Sequence, residues 1–190
     1  MSFSSYEGYL TEASEVLEKT KILVPEIKKI SEEMLKTLQQ GGTIFWCGNG
    51  GSASDAQHLA AELVGRFEVN RPAISSLAIT TDTSILTSIS NDFSFNDVFS
   101  RQIEALGRPR DVIVGITTSG ESSNVLNALK AGKTKSMKTF LFTSEKMKAE
   151  FDFIDVILKV PSQRTCHIQE AHIAVGQAIC GWIENELHGS

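Results

Sequence analysis

The residues best suited to chemistry lie in one stretch: Trp46-Cys47-Gly48-Asn49-Gly50-Gly51-Ser52-Ala53-Ser54-Asp55-Ala56-Gln57-His58-Leu59-Ala60-Ala61-Glu62. Thr43 to Cys47 reads as a buried strand that runs into a glycine-rich turn, and the turn opens a helix. Glycines let the backbone approach an anion closely, and the free N–H groups at a helix start bind it. His58 and Glu62 stand at i and i+4, so they share a helix face about one turn apart. One segment thus offers an anion cradle and a potential acid/base or metal pair, a combination suited to a small phosphorylated molecule. A plainer reading stays open: Glu62 also precedes Arg66 by four residues, the spacing of a surface ion pair, and His58 could cap a neighbouring carbonyl.

A second turn repeats the first. The apolar run Val112–Thr117 leads into Thr118-Ser119-Gly120-Glu121-Ser122-Ser123-Asn124 and then a helix. Hydroxyls and backbone N–H groups at a helix start suit a phosphate, although plain N-capping explains many such turns. The loop holds no Lys or Arg, so binding there would rest on dipoles and hydroxyls. A third cluster, His167-Ile168-Gln169-Glu170-Ala171-His172, opens the last helix; Gln169 and His172 lie on adjacent rows, and Gln177 points nearly the same way as Gln169. Read without a relative, these are the polar side of an amphipathic helix. Asp82, Asn91 and Asp92 follow strands or loops, where Asn and Asp are ordinary turn formers.

Positioning these groups requires an alternation of strands and helices. The first 40 residues read as two helices with Pro25 between them or in the first turn of the second, stopped by Gly41-Gly42. Strands are expected at 43–47, 75–79, 111–116, 138–142 and 156–160. Helices are expected near 53–66, 83–90, 96–106, 122–131 and 166–187, with a short piece at 145–150. Val-, Ile- and Phe-rich strands, each followed by a helix, imply a parallel sheet covered on two faces. Ligands in such sheets bind beyond the carboxyl ends of the strands.

At 190 residues with 41% apolar content, the chain reads as one domain with an adequate core. Net charge of −5 gives no global field for nucleic acid or acidic lipid. Three cysteines, an odd number, point to reduced thiols in a cytoplasm, and neither a membrane span nor a secretory signal is visible.

Together the motifs resemble the phosphoheptose isomerases (sedoheptulose 7-phosphate isomerases) of the sugar isomerase domain (SIS) superfamily. The likeness runs from the N-terminal helices through Cys47–His58 with Ala60-Ala61-Glu62-Leu63, Thr-Thr-Asp-Thr-Ser (80–84), Asn-Asp-Phe (91–93), Phe-Ser-Arg-Gln-Ile-Glu-Ala-Leu-Gly (99–107), Thr-Ser-Gly (118–120) and Ile-Gln-Glu-Ala-His (168–172). It implies a single α/β domain over 1–190, a three-layer sandwich with a five-stranded parallel sheet. Residues 1–40 become a helical extension used in subunit packing. It implies a cytoplasmic homotetramer with active sites at subunit interfaces. The activity implied is conversion of sedoheptulose 7-phosphate to D-glycero-D-manno-heptose 7-phosphate through an enediol, the first step towards activated heptose for lipopolysaccharide or capsule. Ser52, Thr118, Ser119 and Ser122 match positions that hold the phosphate; Asn49, Gly50, Gly51, Asn91 and Asp92 match positions around the sugar. His58, Glu62 and Gln169 match ligands of one zinc per subunit, Gln169 in the substrate site as well, and Glu62 also matches the catalytic carboxylate.

One position departs. The family's fourth zinc ligand and second catalytic group is a histidine eight residues after the glutamine, and here that position is Gln177; the usual Arg before Ile-Gln-Glu is His167. An amide can hydrogen-bond or offer an oxygen to a metal but cannot shuttle a proton at neutral pH. Losing one proton-transfer group costs about 100- to 10,000-fold. Three outcomes follow: an isomerase in which His172, His167 or a metal-bound water substitutes; a slow isomerase or one using another sugar phosphate; or a sugar-phosphate-binding paralogue that regulates by associating with a replication initiator. Retention of Glu62 and of the glycine turn favours the enzyme. Zinc binding is expected to be weak.

Overall fold

The computed structural model describes residues 5–189. Two helices, α1 (Tyr6–Thr20) and α2 (Val24–Gln39), are joined by a 3-10 turn, Lys21–Leu23, and Pro25 occupies the first turn of α2. Proline lacks the N–H that a first turn leaves unpaired, so it starts this helix and does not break one. Gly41, at φ +72°, then reverses the chain. Five strands follow: β1 (Ile44–Gly48), β2 (Ser76–Ala78), β3 (Val112–Ile116), β4 (Lys138–Ser144) and β5 (Val156–Val160). They form one parallel sheet in the order β2-β1-β3-β4-β5.

Alternation along the strands builds two cores. Ile44, Trp46, Val114, Phe140 and Phe142 face α2, α3 (Gly51–Val64) and α7 (Thr165–His188). Phe45, Ile113 and Leu141 face the layer of α4 (Thr83–Asp92), α5 (Ser100–Leu106) and α6 (Ser123–Thr134). The result is the expected three-layer sandwich. Because the order reverses at β1, α3 and α6 leave adjacent strands for opposite faces of the sheet. Their N-termini diverge from one crevice, where ligands of such folds bind.

Two expectations need correction. Residues 96–106 are not one helix: Ser94 accepts from the Asn96 N–H and starts a 3-10 turn, Phe95–Asp97, before α5 begins. Residues 145–150 are not helical: a turn at 145–146 leads into irregular chain, with Met147 packed against Gly120. Among the described residues no helix is long and apolar enough to cross a membrane.

Candidate functional site

The first turn requires its glycines. A Cβ on Gly48 would lie 2.6 Å from the Ser52 carbonyl oxygen, and Gly50 has φ +55°. A Cβ on Gly51 would lie 2.4 Å from Nε2 of Gln169, so the start of α3 and the start of α7 meet here. In the second turn, Gly120 has φ +74°, and a side chain there would strike Met147. Thr117 Oγ1 stands 2.8 Å from Ser122 Oγ and 3.4 Å from Ser119 Oγ. Ser144 Oγ holds the Thr118 carbonyl from behind at 2.7 Å.

Neither α3 nor α6 has a side-chain cap: Gly50 offers none, and the Ser122 hydroxyl turns to Thr117 instead. Side-chain caps are found at α1, where Ser5 accepts from Gly8 N, and at α4, where Asp82 accepts from Ile85 N, while α2, α5 and α7 also start without one. Plain N-capping therefore does not account for the two turns, and it does account for Asp82. Both uncapped helix starts carry the positive end of the helix dipole toward one crevice.

The turns are tied together. Asn49 Nδ2 donates to Asn124 Oδ1 at 2.9 Å, and Asn124 Nδ2 donates back to Asn49 Oδ1 at 2.8 Å. The Val125 N–H also meets Asn124 Oδ1, at 3.0 Å. Asn49 thus spends its amide on the second turn and ties the two turns together. Reading the 118–124 run for hydroxyls passes over Asn124, Thr117 and Ser144. Two asparagines, Asn49 directly after β1 and Asn124 in the first turn of α6, were the available signal, but their pairing depends on the sheet order.

About two turns along α3, His58 Nε2 lies 2.9 Å from Glu62 Oε1 and 3.3 Å from Gln177 Nε2. His58 is about half exposed, with 51% of its side chain accessible against 20% for Glu62. Glu62 pairs with His58 and not with Arg66, whose guanidinium turns to the Glu68 carbonyl. Gly176 brings α7 close enough for this meeting, since a Cβ there would lie 2.5 Å from Leu59 Cδ1. Imidazole, carboxylate and amide converge on one face, while Gln169 sits at the head of the helix.

Four sequence candidates fall outside this cluster. His172, a suggested substitute catalyst, is fully buried with Nε2 2.9 Å from the Thr143 carbonyl and its ring against Phe142. Burial, partly opposed by that bond, pushes its imidazole down to about 4, so it is a neutral core residue and no proton shuttle. His167 is also buried; Nδ1 is 2.7 Å from Glu170 Oε2, and the ring lies against Tyr9 of α1. It joins the N-terminal helix to α7. Asn91 and Asp92 are hydrogen-bonded to each other at the exposed end of α4.

The donor set fits zinc poorly. Zinc prefers imidazole, thiolate and carboxylate, and here one imidazole and one carboxylate meet the amide of Gln177, with the Gln169 amide against Gly51 at the head of α7. Among the described residues no three His, Cys, Asp or Glu side chains are grouped to hold a metal.

An all-parallel sheet of this order, with two uncapped glycine- and serine-rich turns over adjacent strands, defines an α/β sugar-phosphate domain of the SIS class, and the SIS domain family matches residues 8–144. A phosphoheptose isomerase of Neisseria meningitidis is 49% identical over 170 residues, covering 88% of this chain and 86% of its own length. One from Roseiflexus is 48% identical over 163 residues, 86% of this chain and 83% of the relative. The structure of phosphoheptose isomerase GmhA from Neisseria gonorrhoeae superposes with a TM-score of 0.86 at 42% identity, covering 94% of this chain and 96% of that one. The chain belongs to the phosphoheptose isomerase family, and it is a sugar-phosphate isomerase.

Proposed function

We propose that the substrate is sedoheptulose 7-phosphate and the product D-glycero-D-manno-heptose 7-phosphate, made in the cytoplasm for surface polysaccharide. The observation that carries this reading is the pair of uncapped, mutually tied helix starts beside Glu62 and His58. Their backbone N–H groups, with Ser52, Thr118, Ser119 and Ser122, hold the phosphate. Gly50, Gly51 and Gln169 border the sugar. Glu62 takes a proton from C1 and, as the carboxylic acid, returns it to C2, passing through the enediol. A second proton must move between O1 and O2. Gln177 can orient those oxygens but cannot carry it. His58, half exposed and hydrogen-bonded to Glu62, is the group in place to do so. No step is assigned to a metal; zinc, if taken up, is held weakly.

The site is open on the single chain, in keeping with a homotetramer in which a neighbouring copy covers it and α1 and α2 pack between subunits. A cavity of about 430 Å³ between α2 and α7 shares no residue with the two turns; its Ile27 and Trp182 lining suits such packing.

The test is turnover of sedoheptulose 7-phosphate, followed as aldose 7-phosphate by NMR. Glu62→Gln should lower kcat by about 100-fold or more with folding intact. Equal rates for the two proteins would overturn the assignment. A native protein without turnover that binds a replication initiator would favour the regulatory reading.

A further inference from the structure

Beyond the reacting groups, α3 ends in a buried device that the sequence does not announce. The strap that leaves α3 folds back so that Arg71 and Glu184 of α7 meet, Arg71 Nε to Glu184 Oε2 at 2.9 Å, with side chains only 1% and 3% accessible. Glu184 also accepts the N–H groups of Phe67 at 2.9 Å, Glu68 at 2.7 Å and Val69 at 2.9 Å. Arg71 spends its remaining donors on carbonyls: Nη2 on Glu62 at 2.8 Å, and Nη1 on Leu63 at 2.6 Å, Pro72 at 3.1 Å and Gly65 at 3.2 Å. Gly181 lets Phe67 lie flat on α7, for a Cβ there would stand 2.8 Å from its ring.

An ion pair this buried holds only when its remaining donors and acceptors are satisfied. Here they are satisfied by the last carbonyls of α3, which a helix leaves without partners. One of those carbonyls belongs to Glu62 itself. Glu184 lies seven residues after Gln177, two turns along the same helix, so both project towards α3 from one side of α7. The clamp therefore sets how far α3 sits along α7, and so where the Glu62 carboxylate stands relative to His58 and Gln177.

Building on the isomerase reading, we infer that Arg71 and Glu184 are positioning residues for proton transfer: their ion pair grips the Glu62 backbone and fixes α3 against α7. Lysine cannot replace Arg71, because only the planar fork reaches Glu184 and two helix carbonyls at once.

The experiment compares wild type, Arg71→Lys and Glu184→Gln, assayed well below their unfolding midpoints. A fourth protein, Ile103→Ala, loses stability in the opposite core layer and serves as the control for destabilisation alone. The clamp variants should lose about 10- to 100-fold in kcat, the effect of a small misplacement of a reacting group. KM for the sugar phosphate should stay within about threefold, since the phosphate turns are untouched. Backbone amides of residues 62–69 should exchange with deuterium faster, while those of α6 should not. Ile103→Ala should keep its kcat. Clamp variants that keep kcat, or that lose it only in proportion to stability as the control does, would overturn the inference. Absence of turnover in wild type would instead strike the isomerase reading, and with it the catalytic role of the clamp, while amide exchange would still report the grip on α3.

Discussion

Replacing Asn124 by alanine tests whether the two turns act as one cradle. The side chain is 3% exposed and makes three hydrogen bonds: to Asn49 Oδ1 at 2.8 Å, from Asn49 Nδ2 at 2.9 Å and from Val125 N at 3.0 Å. Val125 N keeps a second acceptor, the Ser122 carbonyl, so its loss is small. The two amide bonds to Asn49 contribute roughly 0.5–1.5 kcal/mol each, and an amide left half-buried without a partner adds roughly 1 kcal/mol or more. The expected loss is about 2–4 kcal/mol. For a chain of this size that lowers Tm by roughly 5–15 °C. Urea unfolding followed by circular dichroism measures the first quantity and a thermal melt the second. A double-mutant cycle with Asn49→Ala should return a coupling of about 1–2 kcal/mol, since each single change removes the same pair. In catalysis the loosened cradle should raise KM for the sugar phosphate more than it lowers kcat, because the phosphate is gripped in ground state and transition state alike. Additive effects of the two alanines, with KM unchanged, would refute the idea that the turns are mechanically joined.

Gln177→His restores a titratable group 3.3 Å from His58 and should raise kcat by about tenfold or more, measured with the same sugar phosphate. The same variant should retain zinc through dialysis against a mild chelator while the native chain loses it, as read by elemental analysis; stoichiometric zinc in the dialysed native protein would contradict the weak donor set. Acid stability should separate into two stages. Burial holds folded His172 at about 4 against 6.5, so the unfolded chain alone takes its proton and stability falls as pH drops from about 6.5 to 4. Burial would raise Glu184, but the Phe67, Val69 and Glu68 N–H groups and Arg71 hold it at about 2 against 4.5, so a second loss follows as pH drops from about 4.5 to 2. Asp55, raised by burial to about 6, works in the opposite sense over part of this range, so each stage is read as wild type minus variant. The Tm–pH curve of His172→Gln should lose the upper stage and that of Glu184→Gln the lower; parallel curves would refute both.

The sheet was legible in the sequence because its strands are buried on both faces. Runs such as Val112–Ile116 and Phe140–Phe142 announce themselves with no partner known, and all five strands fall within two residues of expectation. Segment 145–150 was misread because its course is set by a distant glycine, Gly120, that receives Met147. The glycine turn and the His58–Glu62 spacing were visible for the same local reason as the strands. His172 was not: its helix row suggested access to the site, and only the packing of α7 on β4 shows that its ring faces the Thr143 carbonyl. Asn124, Arg71 and Glu184 lie furthest from view, since their partners are 75 and 113 residues away along the chain.

The contact between Gly176 and Leu59 has a consequence for how this site can change. With a bare backbone at 176, the two helices touch at their closest, and the depth of the next residue is set by the scaffold and not by its own side chain. Position 177 is then a socket: imidazole or amide can be mounted there without rebuilding the walls around it. One exchange at that mount should therefore change reactivity while leaving the two glycine- and serine-rich turns as they are.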